Sequence, residues 1–276
     1  MMSRRYLFIV VGLLVVLAAC QGRSQPETVD EPLDPRDESQ SQDVEELVNS
    51  GRASLEAGNY DEAVSTLEEA VEQAPNNRDA HFLLGQAYNQ NGELSKAVDA
   101  YRKVLEIEPE SAAAHHNLGV TYYQLQDLRA AMDQFEKALE IDPDDADTHY
   151  QLGAAYLTLA LSGSEPGSPG DPELLEQATA EFETALELRE NMPEALIGLG
   201  NVQLQQGNYS AAIDALQQAL ESVPNSREAH YALAGAFAQS GNIEKACETY
   251  DQFLSLDPPA AWKAQAEQTM ASLGCR

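Results

Sequence analysis

Five histidines and three cysteines are the side chains of this chain best equipped for chemistry, and their spacing limits what they can do. His81, His115 and His149 stand 34 residues apart, and His230 takes the same place in a later copy of the pattern. Equivalent side chains of stacked helix pairs lie about one helix spacing apart, roughly 10 Å. A zinc ion needs its ligand nitrogens within about 2.1 Å. These four are therefore expected to pack between paired helices and to hold no metal; His116 stands off that row. Asp142, Asp144, Asp145 and Asp147 outline a calcium loop, but the glycine and closing glutamate of such a loop are missing. Helix capping after Pro143 accounts for them. No nucleophile elbow, phosphate loop or zinc spacing occurs. Carboxylates are plentiful but fall on solvated helical faces. The expectation is no catalytic residue, no cofactor and no enzyme. Two other classes stay open: an envelope enzyme using a carboxylate or His116, and a self-assembling structural spacer.

The first cysteine closes a leader. Arg4 and Arg5 precede an apolar run from Tyr6 to Ala19, with small residues at Ala18 and Ala19. About fourteen apolar residues fall short of the roughly 20 that span a bilayer. An export signal is the expected role, against a short membrane anchor or a plain secretory signal. Leu17-Ala18-Ala19-Cys20 resembles the lipobox of bacterial lipoproteins. That resemblance implies removal of residues 1–19 and lipidation of Cys20, with acyl chains such as palmitate holding the protein on a cell-envelope membrane. With Gln21 after the cysteine, it points to the periplasmic face of an outer membrane, where one exists.

Charge bears on the partners. Without Arg4 and Arg5 the mature chain has 14 basic against 46 acidic residues, a net charge of −32 with histidine neutral. That sign repels phosphate backbones and excludes nucleic acid. It also repels anionic head groups, so membrane contact is left to the lipid. Gln21 to Asp43 carries Pro26, Pro32 and Pro35 with few apolar residues, and residues 20–43 are expected to be a lipidated, disordered acidic tether.

From Val44 the chain repeats itself. Gly85, Gly119 and Gly153 recur at 34 residues, as do Tyr88, Tyr122 and Tyr156, and Pro75, Pro109 and Pro143. The frames are 44–77, 78–111, 112–145, 146–192, 193–226 and 227–260. The fourth carries a 13-residue insertion around Ser162 to Pro172, read as a neutral spacer or as a contact loop at a groove edge. Each frame reads as two helices. Leu118, Tyr122 and Leu125 mark one stripe, and Ala131, Phe135, Ala138 and Leu139 the other. A glycine (Gly58, Gly92, Gly207, Gly241) marks the turn between them, replaced by Gln126 in the third frame. Prolines end the second helices. Glycine on the first helix and alanine on the second (Ala63, Ala97, Ala131, Ala178, Ala212, Ala246) suggest backbones that approach closely because neither side is bulky. A last stretch, 261–276, puts Trp262, Ala266, Met270 and Leu273 on one face and is expected to cap the stack.

His115, Leu118, Gly119, Tyr122, Ala131, Phe135, Ala138 and Pro143 follow the order of the tetratricopeptide repeat, which this chain resembles from residue 44 to about 260. The resemblance implies an all-α, right-handed solenoid of six helix-turn-helix repeats that binds a peptide or protein segment in its concave groove. It places in that groove Phe82, Gln86, Asn89, Gln90, His116, Tyr123, Gln124, Tyr150, Leu157, Ile197, Asn201, Leu204, Gln205, Tyr231 and Gln239. Rings and amides suit peptide contacts, although the tyrosines could equally fill space between repeats. A clamp for a terminal carboxylate would need cations, and the groove offers only Arg52, so a neutral or basic segment is expected. By analogy with lipoproteins of this architecture, the process served is pilus or secretin assembly, outer-membrane protein insertion or cell-wall enzyme regulation; fold does not choose among them.

Cys247 near the start of one helix and Cys275 at the end of the next are about equally far from the turn at 257–260. Antiparallel helices would set them side by side as a disulfide, the alternative being two free thiols.

Overall fold

The computed structural model describes residues 35–162 and 170–275. The leader, Cys20, the tether up to residue 34 and residues 163–169 lie outside them. The described residues form helices only, in six antiparallel pairs and a thirteenth helix. The pairs are α1 (Pro35–Glu56) with α2 (Tyr60–Gln73), α3 (Arg78–Gln90) with α4 (Leu94–Ile107), α5 (Ala112–Gln124) with α6 (Leu128–Ile141), α7 (Ala146–Leu161) with α8 (Pro172–Leu188), α9 (Pro193–Gln205) with α10 (Tyr209–Ser222), and α11 (Arg227–Gln239) with α12 (Ile243–Ser255); α13 (Ala260–Leu273) follows. Each paired helix packs most closely on its partner, and each second helix packs next on the helix that follows it. The stacking of pairs buries what one pair alone leaves bare.

Turns and caps follow the residues. Gly58, Gly92, Gly207 and Gly241 close the intra-pair turns in the left-handed region, with φ of 76–83°. Gln126 adopts the same conformation with φ 62°, where a Cβ is unfavourable. At the next helix starts Asn77, Asp145 and Ser226 accept backbone N–H groups of Ala80, Asp147 and Ala229. Asp145 thus works as a helix cap.

Three expectations are corrected. First, the expected disorder does not run to residue 43: α1 begins at Pro35, so residues 35–43 are helical. Proline suits a first helical position. Buried Val44 and Val48 dock the helix, and once a docked turn exists, adding residues is cheap. Second, the thirteen additional residues of the fourth frame do not all fall between its two helices. α7 has 16 residues and α8 has 17, against 13 and 14 in α3 and α4, so both helices take up part of the added length.

Third, the first-helix glycines do not meet small side chains. A Cβ on Gly85 would stand 2.7 Å from the Tyr101 ring, on Gly119 2.6 Å from Phe135, on Gly153 3.0 Å from Phe182, and on Gly200 2.7 Å from Leu216. Gly51 has the same relation to Leu67, at 2.5 Å. The glycine is a socket for a bulky, fully buried side chain of the second helix. The last pair substitutes Ala234, which clusters with Tyr250 and Phe253.

Pairs are tied to one another through the repeated tyrosine. Tyr88 Oη donates to Glu68 Oε1 at 2.5 Å, Tyr156 Oη to Glu136 Oε1 at 3.1 Å, and Tyr122 Oη accepts from Arg102 Nη2 at 2.7 Å. Burial, then Glu136, pushes the Tyr156 phenol up to about 12. At the C-terminal end α13 buries Ala266 fully and Met270 and Leu273 in part, against Tyr250 and Phe253. Trp262 stays 38% exposed, its ring 5.6 Å from that of Tyr231. Cys247 and Cys275 form a disulfide across α12 and α13, with Cα atoms 5.6 Å apart.

Two measurements test this packing. Gly119→Ala should lower stability by about 1–3 kcal/mol because the buried ring must move. Gly235→Ala has nothing within 4 Å of the new Cβ and should raise stability by about 0.5–1 kcal/mol; thermal melts of both variants decide. Closing 28 residues of chain, the disulfide is expected to contribute about 3–4 kcal/mol to the docking of α13. Reduction should open Lys263 to trypsin well before the body is cut.

Candidate binding groove

The first helices of successive pairs contact one another (α1 with α3, α3 with α5, α5 with α7, α7 with α9, α9 with α11), whereas successive second helices keep apart. In a curved stack the closer layer is the inner one. The concave face therefore belongs to α1, α3, α5, α7, α9 and α11. All the residues expected to line the groove lie on these helices, half-buried or exposed.

Several are already engaged with each other. Asn89 Nδ2 donates to Thr121 Oγ1 at 3.1 Å and to Gln124 Oε1 at 3.0 Å, joining α3 to α5. Tyr123 Oη and Thr158 Oγ1 are 2.9 Å apart, joining α5 to α7. His116 Nδ1 lies 2.6 Å from Thr148 Oγ1, whose hydroxyl proton goes to Asp145. The imidazole thus donates through Nδ1. Burial lowers the His116 pKa below its ordinary 6.5, against the pull of Asp145 and Asp147. Tyr231 is covered by Trp262 of the cap. Asn89, Gln124, His116, Tyr123 and Tyr231 thus spend part of their surface on repeat-to-repeat contacts, as the space-filling alternative has it. Thr121, Thr148 and Thr158 are their partners, which reading one frame at a time does not reveal.

The rest keep a free face. Gln86 and Phe82 share a depression with Arg52, Arg78 and Asp79. Gln86, Asn89 and Gln90 border another beside Tyr60 and Asn117. Tyr150 and Ile197 form part of a larger cleft of about 620 Å³. Asn201, Leu157, Leu204 and Gln205 are half-buried, and Gln239 is exposed. Burial, then the charge of Glu194, raises the Tyr150 pKa.

Ion pairs tie the start of a first helix to the end of its own second helix. Arg78 Nη1 pairs with Glu108 at 3.1 Å, and Arg189 grips Asp147 with two bonds of 2.8 and 2.9 Å. His81, His115 and His149 each place Nε2 within 2.9–3.2 Å of the carbonyl of Pro75, Pro109 or Pro143. On the other ring nitrogen His115 meets Gln134 and His149 meets Glu181 of the paired helix. His230 bonds the Ser226 carbonyl. Each of these four histidines is thus bonded to the end of the preceding repeat, and His115 and His149 also to the second helix of their own. Among the described residues no three metal-ligating side chains gather, and no helix is long and apolar enough to cross a membrane.

The tetratricopeptide repeat family model matches residues 48–112, 174–226 and 197–261, and a second model, described as TPR repeat, matches 121–159. The chain belongs to the tetratricopeptide repeat family. Proteins of this family are generally non-catalytic scaffolds for protein contacts. Solved tetratricopeptide structures share the fold. PilF from Pseudomonas aeruginosa superposes with a TM-score of 0.67 at 20% identity, over 83% of this chain and 99% of that one. A tetratricopeptide protein of Parabacteroides merdae gives 0.68 at 18%, over 83% and 88%. YrrB, described as having an unusual peptide-binding site, gives 0.55 at 25%, over 73% and 97%. No curated protein matches the chain by sequence.

The His116 position yields a pH test. Its folded pKa lies below the unfolded one, so the unfolded chain binds the proton first as pH falls. Stability contributed there is complete above about pH 6.5 and is lost on acidification through the folded value. His116→Gln should flatten the loss of stability between about pH 7 and 5. Equal slopes in denaturant titrations of the two proteins would show that the imidazole is not the group responsible.

Proposed function

We propose that this tetratricopeptide protein is a lipid-anchored scaffold of a bacterial cell envelope, exported by its leader and held through Cys20, that captures a neutral or basic protein segment in its concave groove. The observation that carries the reading is the face of α3, α7 and α9. There Gln86, Tyr150, Ile197 and Asn201 stand half-buried in a row fixed by stacked helices. A prebuilt row of this kind binds without ordering cost on its own side. Aromatic and aliphatic surface supplies contact area, and amides match the backbone groups of an extended segment. The peptide-binding site named for YrrB supports the same use of the fold. Acyl chains on Cys20 would contribute about 0.8 kcal/mol per buried methylene, making more than one chain a lasting anchor.

Crosslinked capture from native envelopes tests the groove. Gln86→Ala, Tyr150→Ala and Asn201→Ala together should remove partners that the unaltered protein holds; identical captured sets would count against it. Palmitate labelling and membrane fractionation test the anchor. Cys20→Ser should lose the label and move the protein to the soluble fraction.

A further inference from the structure

A cleft of about 620 Å³ lies where the loop between α10 and α11 meets α9. Tyr150 and Ile197 give it an aromatic and aliphatic floor, Val223 and Leu256 a second apolar wall, and Glu194 and Glu228 bring a carboxylate from each of two successive first helices. We propose that this cleft is an anchor subsite for an arginine side chain of the bound segment, its stem lying on Tyr150 and Ile197 and its guanidinium shared by Glu194 and Glu228. The proposal rests on the peptide-groove reading and adds the chemistry of one residue of the partner.

Charge complementarity selects that occupant. The same frame position carries an acid in other repeats, and in two of them it is matched by an arginine. Asp79 pairs with Arg78, and Asp147 is held by both terminal nitrogens of Arg189. In the third frame the place is Ala113. Among the described residues, neither Glu194 nor Glu228 has a cationic nitrogen within 4.0 Å. Glu228 receives only the Ser226 hydroxyl, at 3.3 Å. Arg189 feels the charge of Glu194, yet its nitrogens are committed to Asp147. Arg227 also lines the cleft and is its one cation, but its Nε donates to the Leu256 carbonyl at 3.0 Å, tying the side chain to the end of α12. Two carboxylates against one engaged guanidinium leave the cleft short of one positive charge. A planar guanidinium bonds two acceptors at once and stacks on an aromatic ring, which an ammonium does less well.

The test uses the mature full-length chain and displayed random 12-residue peptides. Selected peptides should share an arginine beside an apolar residue. Replacing that arginine by citrulline, which keeps the shape and removes the charge, should weaken binding roughly 10- to 100-fold by fluorescence anisotropy. In the Glu194→Gln, Glu228→Gln protein, whose fold is checked by circular dichroism, the citrulline penalty should vanish. Peptides that lack a shared basic residue, or a penalty unchanged in the double variant, would overturn the subsite while leaving the groove in place. Sensitivity of the same peptides to Gln86→Ala and Asn201→Ala keeps the two apart. If no peptide is retained at all, both the subsite and the groove reading fall. A preference for lysine over arginine would overturn the guanidinium assignment.

Discussion

The fit of one bulky side chain against a bare stretch of helix backbone organises this molecule. In each of five pairs a ring or leucine of the second helix stands where a Cβ of the first would have to be. A glycine inside a helix costs about 1 kcal/mol relative to alanine, and the buried aromatic or aliphatic surface it admits more than offsets that. The interlock sets the distance and rotation of the two helices. Repeated five times at one frame position, it gives every pair nearly the same shape, and copies of one shape must stack into a regular curve.

Curvature then determines what the inner face can be. First helices crowd together on the concave side, so their polar side chains find each other across repeat boundaries. The contacts of Asn89, Tyr123 and His116 with threonines one repeat later stiffen the groove and withdraw part of it from a ligand. What remains is divided. The α3 end is floored by Phe82 and Gln86 beside Arg52 and the paired Arg78 and Asp79, and the α9–α11 end by Tyr150 and Ile197 beside Glu194, Glu228 and Arg227.

The C-terminal end shows how a one-dimensional fold is stopped. The cap α13 buries a single residue completely and touches the stack less than any paired helix. A disulfide supplies what its small interface lacks. At the other end, α1 runs ahead of its frame to Pro35. Both ends depart from the repeat because each lacks one neighbour.

The 34-residue period, the helix pairs, their caps and turns, the order of the family motif and the facing of Cys247 toward Cys275 were all legible in the chain, since each follows from local residue chemistry or from simple antiparallel geometry. So was the separation of the four histidines, because equal places in a stack cannot converge. Tertiary structure alone decided that Gly119 receives Phe135 rather than an alanine, that Tyr123 and His116 are spent on the next repeat, and that Glu194 and Glu228 share one cleft while Asp147 is taken by Arg189. Those outcomes depend on the rotation between pairs. That angle is the sum of many buried contacts, and no spacing of letters along the chain records it.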